Sequence, residues 1–256
     1  MSISKFTLLI DDRDIESFGL RLVNYETQSY VGRKVKGVDI PGAHGTQEVP
    51  SRLSTNSFIA NVICTGEDAD EVHERVRQFF AFMYSVQSAR KIVFTNDMKV
   101  VRYAILDSPG KYKVIDGVDC AMTEIKLTFL MLDPFTYQSD VDSFVMIAGH
   151  GKQFILDNDA FECPAIFKLK NTGNSKISNP ALIVNEELAS FSCELQPGDE
   201  IVLDTEEYEV RFNGDNRLDY WRGEMPMLKN GDNIVYQQNS NYAELLLTIE
   251  FTKQWV

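Results

Sequence analysis

The hydrophobic positions of the chain follow two periods, one helical and one strand-like. Five apolar residues fall at positions i, i+4, i+7, i+8 and i+11, which is the spacing of one helix face. They are Val72, Val76, Phe79, Phe80 and Met83. Asp68, with Glu71 three residues later, resembles a capping box at the start of this helix. The pattern predicts one amphipathic helix packed on a sheet of its own domain, or alternatively an aromatic stripe that contacts a partner.

Short runs of alternating apolar and polar residues surround the helix and predict strands. They lie at 5–10, 20–25, 56–64, 91–96, 99–106 and 124–132. Residues 34–45 are expected to end as a loop, because Pro41-Gly42 and Gly45 are turn signals. The last strand is expected to stop at Pro134, since proline removes a ladder donor. The first part of the chain is therefore expected to be mainly β with a single helix.

Beyond residue 137 the pattern predicts strands only. The predicted strands are 165–169, 181–184, 200–204, 207–212 and 245–251, with turns at 171–173, 196–198, 213–214 and 230–231. Asn213-Gly214 is a strong hairpin signal, because both residues tolerate positive φ. Short strands at regular spacing, separated by Gly, Asn and Asp turns, favour a β-sandwich.

The charge of the chain changes at the same place. The 256 residues carry a net charge of −13. Residues 1–137 hold 16 basic and 18 acidic side chains, a net of −2, whereas residues 138–256 hold 9 and 20, a net of −11. This step predicts two domains, 1–137 and 138–256. The acidic half is unsuited to nucleic acid and to anionic membranes, because phosphate binding requires clustered Lys and Arg.

The cysteines and the apolar runs argue against a zinc or disulfide scaffold and against a membrane-spanning protein. Cys64, Cys120, Cys163 and Cys193 form no C-x-x-C pair, which favours reduced, mostly buried thiols over zinc or disulfides. The longest apolar run, 79–84, is far shorter than a membrane span, and residues 1–6 lack the apolar core of a signal peptide. The protein is therefore expected to be soluble and made in a cytoplasm.

No group of residues predicts catalysis, and we expect no enzyme activity, cofactor or metal. The three histidines, His44, His73 and His150, lie in no metal or nucleophile motif. Glycoside hydrolysis would need two carboxylates flanking a bond, but the pairs 186–187 and 206–207 are adjacent. Adjacent residues on a strand point to opposite faces, so a solvated acidic surface is the expected role of both pairs.

Carbohydrate binding is the alternative function that the residues allow. Sandwich lectins use an aromatic platform beside polar groups, and Trp221 is the candidate platform. Asn216, Asp219 and Arg222 lie near it in sequence. An indole ring with a polar N–H suits a partly wet contact with a sugar. The competing expectation is that Trp221 packs into the sandwich, because tryptophan is strongly buried on average.

The order of the motifs resembles the distal tail proteins of siphophages that infect Gram-positive bacteria. The motifs lie at 38–45, 133–135, 169–173, 179–184, 197–204, 212–214 and 226–233. The resemblance implies an N-terminal β-sandwich-like domain with one helix and a C-terminal galectin-like β-sandwich. It implies a homo-hexameric ring, single or back to back, at the virion tail tip, assembled in the host cytoplasm. The ring would join the tail tube and tape-measure proteins to a tail-tip or receptor-binding protein.

Within this frame, we expect the segment 28–47 to cross to a neighbouring subunit. Its basic residues Arg33, Lys34 and Lys36 would meet acidic side chains there, and His44 lies where the family often carries an arginine. The alternative is a solvated surface loop, which is the usual role of a charged run.

Overall fold

The computed structural model describes residues 6–27, 32–39, 46–109, 111–117, 120–148, 153–237 and 245–256. Within these ranges, residues 33–52, 109, 147–148, 153–154 and 237 are described by their backbone alone. The chain divides into two compact units, Met1–Tyr137 with Val256, and Gln138–Trp255. Each unit has its own cluster of buried apolar side chains.

The first unit is mainly β, as predicted. Its strands are β1 (Leu8–Ile10), β2 (Arg13–Asp14), β3 (Leu20–Thr27), β4 (Arg33–Asp39), β5 (Thr46–Leu53), β6 (Asn56–Gly66), β7 (Arg90–Phe94), β8 (Val100–Pro109), β9 (Ile115–Asp116), β10 (Ala121–Met131) and β11 (Thr136–Gln138), the last of which crosses the unit boundary. A 3-10 turn spans Ile15–Phe18, and the helix α1 spans Ala69–Tyr84.

The main sheet of this unit curls around its own core. The strand order is β2-β1-β7-β8-β10-β6-β3, and the pairs are antiparallel. Four steps separate β7 from β3, which would be about 19 Å in a flat sheet. Nevertheless Tyr25 of β3 stacks on Phe94 of β7 with ring centroids 3.9 Å apart. The sheet therefore folds back so that β3 at one end lies against β7, which gives the sandwich-like packing that the resemblance implied.

Helix α1 covers the core of this curled sheet. Val72, Val76, Phe79 and Met83 are buried, as their spacing predicted, while Phe80 is partly buried. The side chain of Asp68 accepts a hydrogen bond from the Glu71 amide at 2.8 Å. The reverse half of the predicted capping box differs, because the Glu71 carboxylate accepts from the amide of Glu67 and not from that of Asp68.

A buried arginine closes the other end of α1. Arg90, only 5% exposed, donates from Nε to the Met83 carbonyl at 3.3 Å and also to the Phe82 carbonyl. It donates further to the Ser85 hydroxyl at 2.9 Å and forms an ion pair with Asp11. The last carbonyls of a helix have no partner within the helix, so this guanidinium satisfies groups that the helix leaves open.

Strands β4 and β5 form a two-stranded antiparallel sheet of their own. Residues 34–39 lie in β4, and the loop-like end expected around Pro41-Gly42 and Gly45 lies outside the described residues. At the base of this hairpin, the Ser54 amide donates to the Gly32 carbonyl at 2.8 Å. The chain thus enters and leaves the hairpin at one point.

The second unit is composed of strands and one 3-10 turn (Leu218–Tyr220) in its described residues. Its strands are β12 (Asp142–Ala148), β13 (Gln153–Asn158), β14 (Ala165–Asn171), β15 (Ile177–Ser178), β16 (Ala181–Val184), β17 (Glu187–Phe191), β18 (Glu194–Leu195), β19 (Glu200–Asp204), β20 (Glu209–Phe212), β21 (Asp215–Asn216), β22 (Trp221–Arg222), β23 (Gly231–Gln237), β24 (Leu245–Phe251) and β25 (Gln254–Trp255).

Two sheets enclose the core of the second unit, as the predicted sandwich requires. One has the order β12-β24-β14-β19-β20-β21, and the other β13-β23-β16-β17-β22. Alternate residues of β24 are buried, from Leu245 to Phe251, and Phe191 and Val235 face them from the other sheet's strands. Burying each such side chain stabilises the fold by roughly 1.5–3 kcal/mol. These alternating faces hold the sandwich together.

The turn signals and most of the predicted strands in this unit are correct. Asn213 and Gly214 both have positive φ, +48° and +91°, in the two-residue turn between β20 and β21. Strands β16, β19 and β24 have the predicted bounds. The strand predicted at 207–212 begins two residues later, because residues 205–208 form a turn. Nine described strands of this unit were not predicted. Four of them have five to seven residues, β12, β13, β17 and β23, and five have two residues, β15, β18, β21, β22 and β25.

Candidate functional surfaces

The Trp221 segment lies at one edge of the five-stranded sheet. In β22, Trp221 pairs with Phe191 of β17, and the two rings meet edge to face with centroids 5.3 Å apart. The indole N–H donates to the Gly223 carbonyl at 2.9 Å. Trp221 is therefore half-buried against the core, with its polar atom engaged inside the protein.

The three polar residues predicted beside Trp221 share this segment, and each has a local hydrogen bond. Arg222 donates to the carbonyls of Asp219 and Trp221, at 2.9 and 2.7 Å. Asp219 accepts from Arg217 at 3.0 Å, and this hydrogen bond lowers the pKa of the Asp219 carboxyl. The side chain of Asn216 accepts from the Leu218 amide at 3.3 Å. The structure brings the predicted residues together, and sugar binding by them stays a prediction.

The predicted basic segment lies on the β4–β5 hairpin. Arg33, Lys34 and Lys36 are residues of β4, and their side chains are not described. His44 and His150 lie outside the described residues. His73 on α1 has its Nδ1 3.2 Å from the Tyr112 hydroxyl. Contact of the hairpin with a second subunit stays a prediction.

The two acidic pairs lie at turns, with Glu186, Glu206 and Glu207 exposed and Glu187 partly exposed. Glu186 lies in the turn between β16 and β17 and Glu187 begins β17, whereas Glu206 and Glu207 lie in the turn before β20. The described residues contain no cluster of three potential metal ligands. They also contain no helix with the length and hydrophobicity that crossing a bilayer requires. All four cysteines are free thiols, with Cys64 and Cys163 buried.

A pocket of about 400 Å³, which the sequence did not predict, opens beside two turns of the five-stranded sheet. The first turn, Asn185-Glu186, has φ angles of +51° and +73°. The second contributes Lys229 and Asn230, and the remaining wall is formed by Asp232, Ile234 and Tyr236 of β23. Glutamate at positive φ is uncommon, so the sequence carried no signal for the first turn.

Asn233, fully buried, ties the two turns together. Its side-chain amide donates to the carbonyls of Lys229 and Gly231, at 2.8 and 2.9 Å. Its Oδ1 accepts from the Lys229 amide at 2.7 Å and from the Asn185 side chain at 2.6 Å. Because one side chain satisfies backbone groups of one turn and a side chain of the other, the walls of the pocket are fixed relative to each other.

Two family models match successive parts of the chain. Residues 14–131 match the family model of the phage tail protein RIFT-related domain. Residues 160–255 match the model of the siphovirus-type tail component, C-terminal domain. The chain belongs to the family of siphophage distal tail proteins. The two matches follow one another in the order that the sequence motifs implied.

One solved structure agrees with this family at the level of the fold. The Dit protein of phage SPP1 is 12% identical, with a TM-score of 0.78 over 98% of this chain and 99% of that one. A chain of the phage P2 baseplate with Ca is 11% identical over the same shares, with a TM-score of 0.46. No curated protein matches the sequence. This distal tail protein is thus a structural component of a phage tail.

Proposed function

We propose that this distal tail protein forms a hexameric ring, single or back to back, at the tip of the tail. The ring acts as a hub that joins the tail tube and tape-measure proteins to a tail-tip or receptor-binding protein. The observation that supports this most is the whole-length fold match to SPP1 Dit, which is described as a paradigm of the hub adsorption apparatus in Gram-positive-infecting phages. Assembly takes place in the host cytoplasm.

Residues 1–137 form the ring in this proposal, and residues 138–256 dock the other tail-tip proteins. The net charge of −2 on the first part limits repulsion between copies packed side by side. The net of −11 on the second part is better accommodated at the periphery, where water screens it. A closed ring requires a head-to-tail interface, in which different patches of two copies meet.

The β4–β5 hairpin is the element that reaches the neighbouring subunit. The seven residues of β4 extend about 20 Å, which is sufficient to reach across an interface. Arg33, Lys34 and Lys36 bring three positive charges to this contact. Acidic side chains of the neighbour would receive them, and the charge pairs would fix the register of the ring.

Light scattering combined with negative-stain imaging tests the ring. Six copies of 29.1 kDa give about 175 kDa, and ring-shaped particles of that mass are expected. If the protein stays monomeric at high concentration and also after tail-tube protein is added, the ring proposal is wrong.

The role of the hairpin has its own variants. Replacing residues 33–53 by two glycines should give monomers, and the fold should survive because Gly32 and Ser54 are already hydrogen-bonded. Changing Arg33, Lys34 and Lys36 together to Glu should weaken the ring strongly. Lys111, Lys113 and Lys126, changed to Glu as a control, carry the same charge change outside the hairpin. Intact rings in the deletion variant would refute the hairpin contact without contradicting the hexamer proposal.

The alternative function, glycan binding around Trp221, has less support. Trp221 packs on Phe191, and its N–H is already bonded to Gly223. A sugar would have to compete with these internal bonds, which reduces the free energy that binding can gain.

A further inference from the structure

The outer faces of the two sheets in the second unit differ in chemistry. On the six-stranded sheet, charged pairs occupy the face, such as Lys168 with Glu250 at 2.6 Å and Arg211 with Glu209 at 2.5 Å. Such paired charges are typical of a surface that stays in water. The five-stranded sheet carries apolar side chains on the corresponding face.

Five side chains form this apolar row. Strand pairing places Ile155 opposite Ile234, and Tyr236 next to Ile183, which is opposite Leu188. Their strand neighbours Leu156, Val184, Ala189 and Val235 are buried, so the row faces outward. Ile155 is 63% exposed, Ile234 42% and Leu188 43%. A contiguous exposed row of this kind is a feature of interaction surfaces.

The border of the row is acidic. The exposed Asp157 and Asp232 stand directly opposite each other on β13 and β23, an arrangement of like charges that costs stability. The pocket adds Glu186, and its cation Lys229 already bonds to Glu187 at 3.3 Å. Among the described residues, Glu186 and Asp232 have no salt-bridge partner. A positive group that enters the pocket would relieve this repulsion.

We infer that this face binds a protein segment that inserts an arginine or lysine side chain into the pocket and lays apolar side chains along the row. Glu186 and Asp232 neutralise the cation, and the Tyr236 ring in the pocket wall offers it an aromatic face. A second copy of this chain would bring the same acidic border, so it is repelled. The inference rests on the proposed docking role of residues 138–256, and it assigns that role a surface and a partner chemistry.

The test uses the full chain with isoleucine methyl groups labelled for NMR. The probe is the peptide acetyl-Leu-Arg-Leu-amide, compared with acetyl-Leu-Glu-Leu-amide and with a neutral disaccharide. The arginine peptide should shift the methyl signals of Ile155 and Ile234 in a saturable manner, while that of the buried Ile249 stays unchanged. The other two probes should leave the row unaffected. Equal response to the glutamate peptide, or response to the disaccharide alone, would overturn the inference.

Two variants separate charge from packing. E186Q with D232N should weaken binding of the arginine peptide about tenfold, because the two charges facing the cation are removed. The matched control, E207Q with D215N, removes the same charge at exposed sites of the six-stranded sheet and should leave affinity unchanged. I234S should also weaken binding. If E186Q with D232N binds the arginine peptide with unchanged affinity, the pocket does not bind the cation and the inference is refuted. The mass of the particles, measured on the same samples by light scattering, tests the proposed hexameric ring separately.

Discussion

Replacing Arg90 by alanine is expected to loosen the C-terminal end of α1 and to lower the stability of the first unit. The variant removes donors to the buried carbonyls of Phe82 and Met83. Hydrogen bonds from a charged donor contribute about 1.5 kcal/mol or more each, so these two account for about 3 kcal/mol. The ion pair with Asp11 adds at most about 1 kcal/mol, because that carboxylate is 42% exposed and stays hydrated.

The total of about 3–4 kcal/mol is a large part of the 5–15 kcal/mol by which domains are usually stable. For a unit of this size it corresponds to a fall in melting temperature of about 10–15 °C. Arg90→Met keeps the aliphatic stem and removes only the donors, so it should lose most of the same stability. Lys91→Ala is the matched control, since its ion pair with the 73%-exposed Asp12 contributes about 0–1 kcal/mol.

The assay can follow the two units separately. Trp221 lies in β22 of the second unit, so its fluorescence, recorded in a Trp255→Phe background, reports on that unit. Circular dichroism at 222 nm follows α1, which lies in the first unit. In Arg90→Ala the dichroism transition should move and the fluorescence transition should stay. A shift for Arg90→Ala no larger than that for Lys91→Ala would refute the reasoning.

Four further predictions follow from single residues. Asp68→Ala should cost the first unit about 1 kcal/mol, measured by denaturant unfolding, because the cap of α1 is lost. Asn233→Ala should lower the fluorescence melting temperature of the second unit, since each buried group left unpaired costs about 1–3 kcal/mol. The exposed Cys120 should react first with a thiol reagent at pH 8. Burial raises the pKa of the Cys193 thiol to about 11, so about one part in a thousand of it is thiolate at pH 8. The reaction rate of Cys193 should rise only as the pH approaches 11, and equal rates for the two cysteines at pH 8 would contradict this. Trp221→Ala should destabilise the second unit, because the ring contact with Phe191 is lost, and neither the variant nor the parent protein should bind a cell-wall glycan array. If the parent binds the array and Trp221→Ala abolishes that binding with the fold intact, the lectin alternative is favoured.

The sequence was informative where one period repeats over several buried positions. The face of α1 was predictable because Val72, Val76 and Phe79 repeat at helical spacing and are all buried. Strand β24 was predictable because alternate residues point into one core. The β4–β5 hairpin was not predictable, because Pro41-Gly42 indicated a loop and the two strands are rich in polar residues.

The pocket could not be predicted for a different reason. Its lining comes from two turns more than 40 residues apart, joined by the buried Asn233. In the sequence this asparagine follows a Gly-Asp turn signal and looks like a turn residue on the surface. Only the pairing of β16 with β23 shows that the Asn233 side chain lies between the two turns and links them.

The curled sheet of the first unit has a consequence for how copies can associate. Open sheet edges add strands without limit, which leads to fibres and not to closed particles. One edge here, β2, is only two residues long. The opposite edge, β3, changes register between Leu22 and Asn24, and such bulges twist an edge away from a flat partner. Both ends of the sheet are therefore poor templates for endless strand addition, which suits the closed ring proposed above.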